Sequence, residues 1–229
     1  MNRYINLSII IMAATLSFTS CKKDGYKNDG GQSDAFVNMT TYDFLRSKPV
    51  FDSLVRMIDH AGMKDAVNGN ITFFATTNYG VADFVAVRKV RRGAQLGNEN
   101  LPFSIDSLPA SEMADSLKIY MFDGKINRDQ MTVSGQLYNS LLGPIPDIQF
   151  LIKLRRTQDY GNYLDHVDYV QFSKVIGARD DQQPDPNSIP EAQRDMAFDC
   201  QTSGIVTTTG IVHVLNGNHR LFFNNEPLQ

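Results

Sequence analysis

The chain has 229 residues, 42% of them hydrophobic, with 22 basic and 25 acidic side chains and a formal charge of −3. That length supports one substantial core or, less economically, two small ones, and a mildly acidic balance with no basic run makes the chain a poor candidate for nucleic acid. Two cysteines, Cys21 and Cys200, are too few for a disulfide-stapled scaffold.

The N-terminus has the layout of an export signal. Arg3 precedes an uncharged, mostly apolar run over residues 5–18, too short to span a bilayer, and then small residues before "TSCKK". This resembles a bacterial lipobox, with Ser20 acceptable before Cys21 and with Phe18 and Thr19 departing from the usual Leu-Ala or Leu-Ser. A plain secretory signal with a nearby cysteine is the alternative. The expected organisation is a signal peptide over 1–20, a flexible tether over 21–35 and one folded domain over 36–225. The tether reading rests on "KKDGYKNDGGQSD", which offers almost nothing to bury. Acylation of Cys21 with several chains, palmitate among them, would anchor the protein to the outer membrane, on the cell-surface side. Cys200 is then the remaining thiol and reads as a buried, inert one.

In "TTYDFLRSKPVFDSLVRMIDHAGM" the apolar residues Phe51, Leu54, Val55 and Ile58 recur at helical spacing. Ser47 is the expected cap, Pro49 falls in the first turn and Gly62 is the stop. His60, near the helix C-terminus, suits the partial negative charge there better than a metal. "ITFFA" over 71–75 then reads as a buried strand, and Val81, Phe84 and Val85 as the apolar face of a second helix. Thr76, Thr77 and Asn78 form the corner between them, with Asn78 the expected N-cap. Arg88, Lys89, Arg91 and Arg92 read as a solvated helix end.

Further along, Ile148, Phe150, Ile152 and Leu154 alternate with Gln149, Leu151, Lys153 and Arg155, "DYGNY" interrupts, and "HVDYVQF" resumes a strand-like pattern. This predicts a hairpin with one polar face. Residues 179–198 carry three prolines and many polar side chains and predict a surface loop. Together with 86–110, they extend the domain beyond a minimal core.

Two segments resemble the signatures of the fasciclin family. "ITFFATTNYGVADF" is similar to the family's Thr-Val-Phe-Ala-Pro-Thr-Asn-x-Ala-Phe pattern through Thr72, Phe74, Ala75, Thr77, Asn78 and Phe84, with Thr76 in place of the proline. "TTTGIVHVLNGNHRLFF" is similar to its Asn-Gly-Val-Ile-His-Val-Ile-Asp segment through Gly210, Ile211, Val212, His213, Val214 and Leu215, with Thr209 and Asn216 replacing Asn and Asp. "LKIYMFDGKI" stands at the family's Tyr-His region, where Tyr120 matches and Met121 replaces the histidine. An integrin-type activity is therefore not implied. The resemblance implies an α+β fold, a wedge of two small β-sheets packed with several helices. It also implies a non-catalytic role in adhesion or in binding an extracellular protein or carbohydrate.

No Gly-x-Ser-x-Gly elbow, phosphate-cradling glycine loop or His-Glu-x-x-His helix occurs, so neither catalytic residues nor a cofactor are expected. His213 with His219, and Asp165 with His166 and Asp168, are conceivable cation ligands. Burial in the sheet for His213 and a solvated hairpin end for the second group account for them without a metal. The candidate ligand surface is Tyr138, Arg155, Tyr160, Asn162 and Tyr163, with Arg156 and Tyr169 beside it, because aromatic faces with polar fixers suit sugars and protein surfaces. The alternative places Tyr169 in the core and leaves the others as ordinary edge residues. The competing functional expectation is a periplasm-facing scaffold of an envelope or nutrient-uptake complex.

Overall fold

The computed structural model describes residues 36–161 and 164–225. Residues 1–35, including Cys21, and the pair Asn162 and Tyr163 lie outside the described residues. So do the expectations that rest on them. In chain order the elements are α1 (Thr41–Arg46), α2 (Asp52–His60), α3 (Lys64–Val67), β1 (Ile71–Ala75), α4 (Asn78–Leu96), α5 (Ala110–Lys118), β2 (Met121–Asp123), β3 (Gln136–Tyr138), β4 (Ile148–Thr157), β5 (Val167–Ile176), β6 (Met196–Val206), β7 (Ile211–Leu215) and α6 (Leu221–Asn225).

Apolar runs without alternation mark strands buried on both faces, and both β1 and β7 are buried at every position. They pair in parallel, Thr72 with Ile211 through Ala75 with Val214. Gly210, just before β7, is required by that approach: a Cβ there would stand 2.3 Å from the Ile71 carbonyl oxygen. Thr72 is tied as well, its hydroxyl donating to the Gly124 carbonyl (2.8 Å) and accepting from the Ile126 amide (2.7 Å).

The expected wedge of two small sheets is incorrect. The strands form one mixed seven-stranded sheet in the order β2-β1-β7-β6-β5-β4-β3, curled into a nearly closed barrel with a modest helical complement. The cause is β6. Its first part pairs with β5, Gln171 with Asp199 through Lys174 with Met196, and its later part pairs with β7, Cys200 with Leu215 through Val206 with Ile211. Register shifts between Cys200 and Thr202 and between Thr202 and Ile205 bend the strand, and Gly204 accommodates a φ of 75° there. Bulges of this kind let one strand turn a barrel corner without ending. At the far end the Leu141 amide donates to the Met121 carbonyl (2.8 Å), joining the segment after β3 to β2.

Rings fill the interior. Phe172, fully buried, stacks between Phe74 (centroids 4.5 Å apart) and Phe150 (5.6 Å) and meets Phe122 and Phe223 at its edges. Offset-stacked and edge-to-face aromatic pairs add roughly 0.5–1.5 kcal/mol each beyond their burial. Outside the barrel, α2 packs against α4 and α5.

The expected helix through Leu54, Val55 and Ile58 is present as α2, preceded by a 3-10 turn at Pro49–Phe51 and stopped at Gly62, whose φ is 67°. Ser47 does not cap it. Ser47 closes α1 instead, its hydroxyl donating to the Phe44 carbonyl. Asn78 is likewise not the cap of its own helix, because Thr77 occupies that position without a side-chain bond. The Asn78 carboxamide reaches across to α2, accepting from the Ser53 amide (2.8 Å) and donating to the Pro49 carbonyl (2.7 Å). It satisfies one of the orphan amides of a neighbouring helix's first turn.

Candidate functional site

The two histidines that invite a chemical reading are sealed. His213 has no exposed surface and its ring stacks on Phe74 at 5.0 Å. Nδ1 accepts from the Gly204 amide (3.1 Å), so the ring proton sits on Nε2, which faces the Ile126 carbonyl (3.2 Å). Burial pushes its pKa down to about 4, keeping the ring neutral. His219 is held lower still, at about 3, again by burial.

Tyr120 is the partner of His219. The phenol oxygen accepts the Phe222 amide (2.7 Å) and lies 2.8 Å from His219 Nε2, so its proton goes to that nitrogen. The imidazole proton then falls on Nδ1, which is buried with no hydrogen-bond partner among the described residues. Burial raises the phenol well above its ordinary pKa. The arrangement also fixes the end of the domain. Phe222 and Phe223 hold φ values of 58° and 50°, a region disfavoured for bulky side chains, and the burial of both rings against the core sustains it. Cys200 is buried and its pKa is raised by desolvation, which makes it a poor nucleophile.

The hairpin is present as expected, β4 and β5 pairing antiparallel from Ile148 with Ile176 to Thr157 with Val167. The structure divides the candidate ligand surface. Tyr138 turns inward, packing edge-on against Phe122 at the margin of the core. Arg155 lies on the outer face beside its cross-strand neighbour Tyr169, its guanidinium 5.0 Å from the ring centre. It donates to Asp199 from Nε (3.0 Å) and Nη2 (2.7 Å), and Gln171 donates to the same carboxylate (3.1 Å). Tyr169 is half-buried, and burial, followed by the neighbouring Tyr160 hydroxyl, raises its phenol. Tyr160 is 53% exposed. The outer face therefore presents two phenols, a charge-paired guanidinium and a carboxamide, already oriented by one another.

Asp199 and Gln171 are absent from the sequence-based expectation. Their role depends on the β5–β6 register, which no local spacing reports. The group at the hairpin start is an ion pair: Arg156 grips Asp168 through two bonds of 2.8 Å, with His166 at 3.7 Å. That guanidinium holds the Asp168 carboxyl below the ordinary range. His60 Nε2 meets the Leu108 carbonyl at 2.7 Å. Among the described residues no group of three or more His, Cys, Asp or Glu is placed to hold a metal ion, and no helix is long and apolar enough to cross a membrane.

No family model matches the chain, and no curated protein does. A solved structure of a FAS1 domain pair from the insect cell adhesion molecule fasciclin I is a structural neighbour. The TM-score is 0.45 at 12% identity, over 83% of this chain and 51% of that one, so the chain spans about half the length of that structure.

Proposed function

We propose that the protein is a non-catalytic adhesion-type domain that captures an extracellular protein or glycan on the outer face of the β4–β5 hairpin. In this reading an acylated Cys21 and the tether over 21–35 hold it on the surface of the outer membrane. The observation that carries the proposal is the preset cluster of Tyr160, Tyr169, Arg155, Gln171 and Asp199. Aromatic faces beside polar groups already locked in place bind at a low ordering cost. Two further features support it. The fasciclin-like segments lie side by side as β1 and β7, and the interior imidazoles, phenol and thiol are occupied with packing.

The test is a glycan and matrix-protein binding screen with the full-length lipoprotein in detergent, alongside its Tyr160→Ala variant. Saturable binding lost in the variant is the expected result. A ligand bound equally well by both proteins would contradict the placement on the hairpin. Protease shaving of intact cells tests the location: the immunoblot band should disappear without lysis. Its survival until lysis would favour a periplasm-facing scaffold.

A further inference from the structure

At the Ile148–Ile176 end of the β4–β5 pair, away from the hairpin tip that carries Tyr160, the segment over residues 177–195 leaves a cleft of about 700 Å³. The Gly177 amide donates to the Asp147 carbonyl (2.9 Å) and ties that segment to the turn before β4. Ile176, Ile189 and Pro190 give the cleft an apolar wall, and every charged residue of its lining is acidic: Asp147, Asp180 and Asp185. Residues 177–195 carry five carboxylates against two guanidiniums. Both guanidiniums are engaged, Arg179 by Asp181 and the Ser134 carbonyl (2.8 Å each), Arg194 by the Ile189 and Asn187 carbonyls (3.0 and 3.3 Å). Among the described residues none of the three cleft carboxylates is in an ion pair, and Asp180 Oδ1 is buried with no hydrogen-bond partner. Two of the three have one oxygen already taken by the backbone: Asp180 Oδ2 accepts the Asp195 amide (2.9 Å) and Asp185 Oδ1 the Asn187 amide (3.1 Å).

We propose that this cleft binds an alkylammonium, a primary amine on an apolar stem, as a lysine side chain or a free diamine presents it. Carboxylates with no cation of their own select a positive ligand, and the volume lies in the range of small-ligand pockets. Exposed carboxylates attract an ammonium only weakly one at a time. The apolar wall adds to this by covering the methylenes, as it would along a lysine stem, so the head and the stem are both needed. Other cations match less well. A divalent metal ion needs several oxygens converging on one point, and among the described residues no group of three or more His, Cys, Asp or Glu is placed to hold one. A guanidinium fork uses both oxygens of one carboxylate, and at Asp180 and Asp185 one of the two is occupied; an ammonium takes single oxygens from several directions. The selection rests on the cleft alone and is independent of the hairpin surface.

The test is an NMR titration of the backbone amides of the full-length protein in detergent with cadaverine, N-acetyl-lysine methylamide, N-acetyl-arginine methylamide, 1,5-pentanediol and calcium chloride. The expected result is saturable shifts at Gly177, Ala178 and Ile189 with at least one of the two amines, weaker binding of the arginine derivative and none of the diol. Affinity should fall as salt rises, because exposed charge pairs are screened. Whether cadaverine or the lysine derivative binds more tightly tells a free amine from a side chain as the source of the ammonium. In the Asp147→Asn/Asp185→Asn double variant the amine should bind about fivefold more weakly, the effect of losing two exposed charge contacts, with an unchanged melting temperature. Both substitutions spare the fold: asparagine tolerates the φ of 56° at Asp147, and at 185 it keeps the oxygen that accepts the Asn187 amide. Equal binding of the diol, tighter binding of the arginine derivative, calcium saturating the same amides in place of the amine, undiminished amine binding in the double variant, or no saturable shift at all would each overturn the proposal. The amides of Tyr160 and Tyr169 report in the same spectra, so an amine seated on the hairpin surface instead would also be seen, and would count against the cleft.

Discussion

The barrel interior and the loop over residues 177–195 both immobilise polar groups, and they do so with opposite chemistry. Inside, His213, His219 and Tyr120 are held neutral among stacked rings. In the loop, carboxylates do the fixing. Asp180 and Asp195 exchange backbone-to-carboxylate bonds of 3.0 and 2.9 Å, Asp195 also accepts the Ile176 amide, and Asp181 pairs with both Arg179 and Lys153. Three 3-10 turns give this segment local order. The contrast separates groups sealed in the interior, which stay neutral, from groups on the outside, which meet solvent while charged.

The largest expected effect is that of acid on the interior. Each buried imidazole is neutral in the folded protein, at about 4 for His213 and about 3 for His219, whereas in the unfolded chain it takes a proton near 6.5. Between those values the unfolded state binds more protons. Stability is therefore full at neutral pH and falls with pH through the window from 6.5 toward 4, by roughly 1.4 kcal/mol per pH unit per imidazole. Urea titrations at pH 7, 6 and 5 should show it, and a flat profile would break the contrast. Loop carboxylates respond lower down. Arg179 and Lys153 hold Asp181 at about 2, so its contribution is retained until pH falls below the ordinary carboxylate range.

Next in size is Gly210→Ala, which drives a methyl group against the Ile71 carbonyl where β1 and β7 meet. A loss of about 3 kcal/mol is expected, the upper part of the usual range for overpacking. Its absence in a denaturant melt would mean that the parallel pair sits farther apart. Asn78→Ala should cost about 1 kcal/mol by uncapping α2, as other lost caps do. Hydrogen exchange should rise at the Ser53 amide and its neighbours rather than along α4. Asp181→Asn should cost less than about 1 kcal/mol, since half-exposed ion pairs contribute little. Proteolysis within 177–195 should nonetheless quicken, giving the loop a signature that a melt alone misses.

Much of this architecture is legible in the sequence where the signal is local. The unbroken apolar runs of β1 and β7, the helix through Leu54 and Ile58, and the alternating hairpin all announce themselves by spacing. Non-local features do not. That β6 serves both halves of the sheet depends on two bulges whose only local trace is Gly204. Asn78 has the composition of a cap, and its true partner, the Ser53 amide, is brought near only by helix packing. α4 runs past the basic cluster where a helix end is expected, because the stop lies at Gly97. Of the candidate ligand surface, Arg155 and Tyr160 stand on the outer face with Tyr169, while Tyr138 turns inward because its register on β3 sets it opposite the buried Phe150, a pairing that only the β3–β4 register reveals.

The measurement that bears most directly on the division between a sealed interior and a working exterior is an NMR titration of the imidazole side chains. His213 and His219 should show no change in chemical shift from pH 8 down to about 5 and should retain their assigned tautomers, Nε2–H for His213 and Nδ1–H for His219. Either ring titrating near 6.5 would show that solvent reaches the interior and that its groups are open to chemistry, contradicting the account.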